Sequence, residues 1–273
     1  MTAGTLTQDP RPTRAARHRA RRWARPVAGV AAALALWELL TETGALDRRN
    51  VPTVQAVAAA LSGSSGAIGS SLATTLESLF IGLIIASVAG AVLGIAVGLS
   101  TWAEAGTGVL VRMMRPLPSL ALIPIAILVA GLGTTMTSGL VAFAAFWPVF
   151  INARYGTRQV EPRLLETGRA LAFSRRELIW RVVLPSVAPA VATGIRIAVG
   201  MATVVTVSVE LIAGTGGLGG FVVDAQQGGS VPQMYAGIIV GGILGWLLNL
   251  AVGAVAGRVL AWDAAAAGRG AGA

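Results

Sequence analysis

The sequence predicts an all-α integral membrane protein of about six transmembrane helices, with one long charged loop between spans four and five. Three observations carry that reading. Only 12% of the 273 residues are charged and 55% are hydrophobic, with a mean hydropathy of +0.73, whereas a soluble chain carries about 25% charged residues. The apolar residues come in runs of about 20, the length that crosses a hydrocarbon layer about 30 Å thick. Arginines gather where those runs stop, so the net charge of +9 reads as membrane orientation rather than affinity for nucleic acid.

The same composition removes whole classes of chemistry. All 21 basic residues are arginine. A P-loop ATPase needs the lysine of G-x-x-x-x-G-K-[ST] on the transferred phosphate, and Schiff-base chemistry needs a lysine amine. There is no cysteine, which excludes disulfides, thiolate catalysis and cysteine-held metals. The single histidine, His18, sits among arginines of the N-terminal tail, so HExxH zinc sites are excluded. No catalytic residue, metal ligand or cofactor is expected in this chain.

Residues 1–25 carry seven arginines (11, 14, 17, 19, 21, 22 and 25) against Asp9 alone, and a disordered basic tail near anionic headgroups is expected. The first span covers about 27–46. Its apolar run continues through Leu36, Trp37, Leu39 and Leu40 without a small-residue cleavage site, which favours a retained span over a signal peptide. A polar connection follows over 47–75, with a short surface helix within 51–61 and a Gly/Ser loop over 62–71. The second span covers 76–99. There Gly90, Gly94 and Gly98, four residues apart, share one helix face and admit a neighbouring backbone. The third covers 109–132, with Pro124 inside it, and the fourth covers 138–151, with Pro148. Prolines within spans mark bends that neighbouring helices make tolerable. The fifth covers 187–213 and the sixth 235–260, and a flexible tail occupies 262–273.

Arginine counts orient the spans. The tail holds seven, and 152–185 holds another seven (154, 158, 163, 169, 175, 176 and 181), whereas 133–137 and 214–232 hold none. An even number of spans with both termini cytoplasmic fits this, in a cell membrane and with the lipid bilayer as solvent.

Residues 161–185 read EPRLLETGRALAFSRRELIWRVVLP. Pro162 suits a first helical turn, and Leu164, Leu165, Ala170 and Leu171 follow near helical spacing. Ser174 to Glu177 then forms S-x-x-E, a capping box that opens a second helix. Two short helices at an angle, parallel to the membrane and rich in arginine, make a docking surface. A solvated linker has no need of apolar stripes on both helices.

From Glu166 to Pro185 the chain resembles the E-A-A-x3-G-x9-I-x-L-P pattern of permease subunits of ABC-type importers. Glu166 takes the acidic position, Thr167 and Gly168 replace the alanines, and Ala172 stands at the glycine. Val182 stands at the isoleucine, and Leu184 and Pro185 match. The resemblance runs from about residue 51 to the end. It includes RPLPSLALIP (115–124), Gly131-Leu132-Gly133, Phe146-Trp147-Pro148 and LPSVAPAVATGIRIAVG (184–200), and looks most like the nitrate/sulfonate/taurine branch. It implies that 26–261 is the transmembrane permease domain and that loop 154–185 forms coupling helices seated on an ATPase subunit. Glu166, Thr167, Gly168, Ala172, Ser174, Glu177, Val182, Leu184 and Pro185 would make up the coupling segment. It further implies two permease copies, an extracytoplasmic binding protein, ATP and Mg²⁺ held by the partner ATPase, and a small solute such as a sulfonate, taurine or nitrate. The chain itself would be a transport subunit and not an enzyme.

Within the fifth span, Thr203, Thr206, Ser208 and Glu210 are candidates for the translocation path. Glu210 lines the path or its outer gate, or else sits at the outer headgroup level. The glycine-rich residues 214–220 lack a following lysine and a preceding strand, so an outer gate or re-entrant loop fits better than a phosphate loop. A stand-alone secondary transporter or channel would show inverted repeats and midplane charges, and an intramembrane enzyme would show clustered acids or histidines. The sequence shows no convincing repeat and few midplane charges, which leaves a stand-alone transporter or channel as the alternative reading, while its twelve acids are scattered and its one histidine is in the tail.

Overall fold

The structure, a computed structural model, describes residues 14–114 and 117–259, and every regular element among them is helical. Helix α1 (Arg14–Glu42) begins inside the segment expected to be a disordered tail. Its first turns read RAARHRARRWAR. Alanine and arginine are among the strongest helix formers, so local propensity extends the helix ahead of the apolar run. Residues 1–13 and the tail expected over 262–273 lie outside the described residues. Helix α2 (Val54–Gly63) forms where a surface helix was expected. Thr53 accepts the Ala56 amide at 3.2 Å, and Glu38 of α1 accepts the Val54 amide at 2.8 Å. The Gly/Ser loop expected over 62–71 does not form, because α3 (Ser65–Gly98) starts one residue after Ser64. Ile68 explains this, since it is buried in a cluster with Val57, Leu218, Ala236 and Leu244, with Leu72 packed beside it. That burial outweighs the poor helix propensity of the serines and glycines.

Among the described residues, four stretches are long and apolar enough to cross a membrane. They are α3, α6 (Thr134–Arg158), the run Arg175–Gln227 that contains α9 (Leu184–Ala213), and most of α11 (Val231–Val259). The expected third span is not one helix. Helix α4 (Thr101–Met114) gives way to a 3₁₀ turn (Ser119–Leu122) and α5 (Ile123–Ala130), and the direction changes by 83° between them. Pro118 is extended at the start of the 3₁₀ turn. Pro124 sits in the first turn of α5, where its missing N–H costs nothing. The expected six spans therefore appear as four clear ones, one bent candidate and the apolar part of α1. The fourth span is longer than expected, since α6 continues to Arg158 and absorbs the start of the loop.

Helices α3, α6 and α9 make the centre of the molecule, around Leu79, Met136, Val141, Val149, Val199 and Val209. The glycine spacing noted in the sequence sets the α3–α6 approach. A Cβ on Gly90 would lie 2.9 Å from Val149 Cβ, and one on Gly98 would lie 2.6 Å from Thr157 Cβ. Side chains there would push the helices apart, so the small-residue face is a packing device. The ends of α6 and α9 joined by the charged loop form the loop end of the bundle. The opposite, far end carries α2, the start of α11 and a short helix α10 (Gly217–Gln227).

Candidate functional site

Two short helices form in the charged loop, as the sequence spacing requires. Helix α7 (Pro162–Ala170) begins with Pro162 in its first turn, and its end is closed by two backbone bonds. The Phe173 amide donates to Gly168 O at 3.0 Å and the Ala172 amide to Arg169 O at 2.9 Å, the pairing of a Schellman motif. That motif needs a left-handed residue, and Ala172 supplies it at φ 57°, the one described non-glycine residue with positive φ. The turn normally given to glycine is thus kept with alanine. Gly168 lies at the crossing of the two helices, where a Cβ would sit 2.8 Å from Leu178 Cδ1.

Helix α8 (Arg175–Leu178) opens with the expected capping box. Ser174 Oγ accepts the Glu177 amide at 3.3 Å, and Glu177 Oε2 accepts the Ser174 amide at 2.9 Å and its hydroxyl at 2.8 Å. The Ser174 amide holds the Glu177 carboxyl below the ordinary carboxylate range, helped by the Ser174 hydroxyl and by Arg181. Helix α8 does not stop. A π turn (Ile179–Val183), with Val183 buried, carries it directly into α9. On the outside of the loop, Glu166 and Pro185 are exposed, and so are Leu164, Leu171 (63%) and Trp180 (64%). Thr167 is exposed, with its hydroxyl donating to Arg163 O, while Val182 and Leu184 are half-buried. The loop therefore presents carboxylates that include Glu166 and Glu161, several arginines and three large apolar side chains to whatever lies beneath it.

At the far end the structure makes a junction the sequence did not reveal. Glu210 is 1% exposed. Its Oε2 accepts the Thr75 hydroxyl at 2.9 Å and the Gly219 amide at 3.0 Å, while Thr75 Oγ1 accepts the Leu218 amide at 2.8 Å. Leu218 and Gly219 lie in the first turn of α10, which has glycine at its N-cap and no capping side chain of its own. Thr75 of α3 and Glu210 of α9 therefore cap α10 from outside, satisfying two free amides beside a helix dipole that favours a carboxylate. Only glycine fits at 217. Its φ is +68°, and a Cβ there would collide with the Glu210 carboxyl group. Residues 217–220 are thus the buried start of a helix and not a flexible loop.

The other path candidates part company. Thr203 and Ser208 line a cavity of about 390 Å³ between α9, α10 and α11, together with Val204, Leu218, Gly241 and Trp246. Thr206 is buried and donates to Ala202 O of its own helix at 2.8 Å. Thr206 and Glu210 lie inside the packing of the single chain rather than on that cavity's wall. A second cavity, about 280 Å³, lies between the 3₁₀ turn, α6 and α9. Glu104 takes Arg154 at 2.7 Å and Arg158 as well, tying α4 to the end of α6. Among the described residues, no group of three histidine, cysteine, aspartate or glutamate side chains is placed to hold a metal ion.

This arrangement is that of a membrane transport subunit, and known proteins agree. Residues 82–260 match the binding-protein-dependent transport system inner membrane components, and the chain belongs to that family. It is 34% identical to the taurine transport system permease protein TauC of Escherichia coli K12, over 70% of both chains. It is 31% identical to the nitrate import permease protein NrtB of Leptolyngbya laminosa, over 69% of this chain and 68% of that one. It is 28% identical to SsuC of Bacillus subtilis 168, named for transport of aliphatic sulfonates, over 88% of both. The fold resembles a solved chain of the inward-facing MetNI methionine ABC transporter, with a TM-score of 0.56, 19% identity, and coverage of 71% of this chain and 95% of that one. The protein is a multi-pass inner-membrane permease subunit of an importer.

Proposed function

We propose that this permease works with ABC ATPase subunits that seat on the loop helices α7 and α8, and that its solute is a small anion such as a sulfonate, taurine or nitrate. One observation carries the reading. The loop holds Glu166, Leu164 and Leu171 outward on a turn of defined geometry, and its second helix runs without a break into a membrane span. A partner gripping this surface would move α9 with it. In this reading the loop end and both termini are cytoplasmic, two copies of the chain enclose the path, and an extracytoplasmic binding protein delivers solute to the far end. Closure of the ATPase pair around ATP and Mg²⁺ would rock the spans between inward- and outward-open states. The solute class follows the names of the relatives, which import nitrate, sulfonates and taurine.

The test is direct. Chain extracted in detergent should retain an ATPase subunit. Glu166→Arg reverses the charge on the exposed face without touching the Ala172 turn, and it should cut both retention and ATP-driven uptake by about tenfold or more, as loss of a central interface residue does. Unchanged retention and uptake in that variant would remove the reading.

A further inference from the structure

We propose that Arg196 is an anion-binding residue of the permease path, its guanidinium taking the oxygens of a small oxyanion on the open face of α9. The proposal rests on the permease reading above and adds to it a residue that meets the solute within the membrane.

Depth is the first support. Arg196 is the thirteenth of the 30 residues of α9 and lies within a stretch apolar enough to span. Three helical turns, about 16 Å, separate it from Pro185 at the loop. Two residues before it, a Cβ on Gly194 would lie 2.9 Å from Pro148 O and from Val149 Cα, which stand just past the middle of α6. A helix side chain tilts toward the start of its own helix, which sets the guanidinium on the loop side of the midplane. A charge at this depth is costly against lipid, so it faces the inside of an assembly or a water-filled cavity.

The charge is also unmatched. The ion pairs among the described residues join Glu104 to Arg154 and Arg158, and Glu177 to Arg181. Arg196 enters none of them. It is exposed, on a face of α9 with Thr193, Ile197, Gly200, Met201 and Val204 at helical spacing. The other sides of α9 pack on α3, α6, α10 and α11. The central helix thus keeps one open side, and that side carries the cation. Two copies enclosing a path would turn such a face inward.

There is room beside the guanidinium. Gly200 lies one turn further along α9, and a Cβ there would meet nothing within 4 Å. Across on α11, a Cβ on Gly253 would stop 3.9 Å from Arg196 Nη2, while one on Gly245 would approach Thr203. Asn249 stands between those two glycines on the α11 stripe that meets α9, is exposed, and adds an amide donor. A guanidinium presents paired N–H groups that match two oxygens of one anion, the chemistry of nitrate or a sulfonate. Helix α9 continues from α8 through the π turn, so this cation rides on the helix that a partner on the loop would move.

The experiment uses the complex that co-purifies with this chain. The chain has no cysteine, so Gly200→Cys gives it a single thiol in open space beside Arg196. In lipid nanodiscs, labelling of this chain is timed with an anionic ethylsulfonate and a cationic trimethylammonium methanethiosulfonate reagent. The anionic reagent should be favoured about tenfold more with Arg196 present than in the Gly200→Cys, Arg196→Gln double variant. Arg196→Lys, which keeps the charge, should keep the preference, and nitrate should slow the labelling. In proteoliposomes, Arg196→Gln alone should lower nitrate and taurine uptake per ATP about tenfold, with ATPase retention unchanged. A guanidinium that merely snorkelled to headgroups would leave position 200 in lipid, where neither reagent reacts. That result overturns the site, as does a reagent preference indifferent to Arg196→Gln, or wild-type uptake in that variant. If the wild-type complex holds its ATPase but carries neither nitrate nor taurine, the anion assignment falls and the site with it, while the permease reading stands. If it holds no ATPase, that reading has failed and takes the site with it.

Discussion

Two residues hold conformations that single substitutions can test. Ala172 sits at φ 57°, where an L-residue costs about 1–2 kcal/mol. Ala172→Gly removes that cost but restores about 0.4–1 kcal/mol of unfolded-chain freedom. The net should be a gain of roughly 0.5–1 kcal/mol, read as slower hydrogen exchange at the Phe173 amide that closes the turn. Ala172→Val, with a branched side chain in the same region, should speed that exchange. Glu210 makes the sharper case. Its Oε2 takes both donors while Oε1 is buried without a partner. Glu210→Gln keeps one accepting oxygen, so its melting temperature in detergent should stay close to wild type. Glu210→Ala strands the Thr75 hydroxyl and the Gly219 amide and opens a hole against Gly217, costing about 2–4 kcal/mol. If Gln lost as much stability as Ala, the charge rather than the geometry would hold α10 in place.

Among the α-helices, α8 is the shortest and depends most on its cap. Ser174→Ala should cost the loop about 1 kcal/mol, seen as faster exchange of the Glu177 and Leu178 amides. Acid should do the same by another route. The Glu177 carboxyl is held below its ordinary value of 4.5 by the Ser174 amide, so the folded cap favours the ionised form. A depressed pKa contributes stability that is present above the unfolded value and lost as pH falls through the folded one. The start of α8 should therefore keep its amide protection factors from pH 7 to 5 and lose them as acid protonates the Glu177 carboxylate; protection that stayed constant through that titration would count against the capping box. The cap could be read in the sequence, because S-x-x-E is a local code with a local cause. The elements that were misread depend on distant partners. Residues 62–71 look like a loop until Ile68 meets Leu218 and Leu244, and α10 has no cap in its own sequence because Thr75 and Glu210 supply it. The third span reads as one apolar run because hydropathy does not register an 83° turn.

At the scale of the whole molecule, membrane class and family pattern were legible because composition and motif spacing need no tertiary contact. The mechanical linkage was not, since it depends on which helices run together and which are tied side to side. Helix α8 passes through a π turn into α9, α9 ends at Glu210's turn of backbone, and Glu210 grips α10. In the proposed function, a displacement at the loop end would be handed along one continuous helix to the far end, and Glu104 holding Arg154 and Arg158 ties α4 to α6 alongside. Rigidity through residues 179–184 is then what transmission requires. Inserting two glycines between Val183 and Leu184 should leave α7 and α8 able to hold an ATPase, while uptake per ATP falls about tenfold or more, since each glycine loosens the helix by about 1 kcal/mol and the added length rotates α8 relative to α9. The same insertion between Gly228 and Gly229, an exposed turn between α10 and α11 where Gly229 already has φ +69°, should leave retention and uptake near wild type. If the two insertions uncoupled equally, the π-turn junction would not be the lever. If the first uncoupled nothing, movement would have to reach the far end by another route, with the α4–α6 clamp the next element to cut.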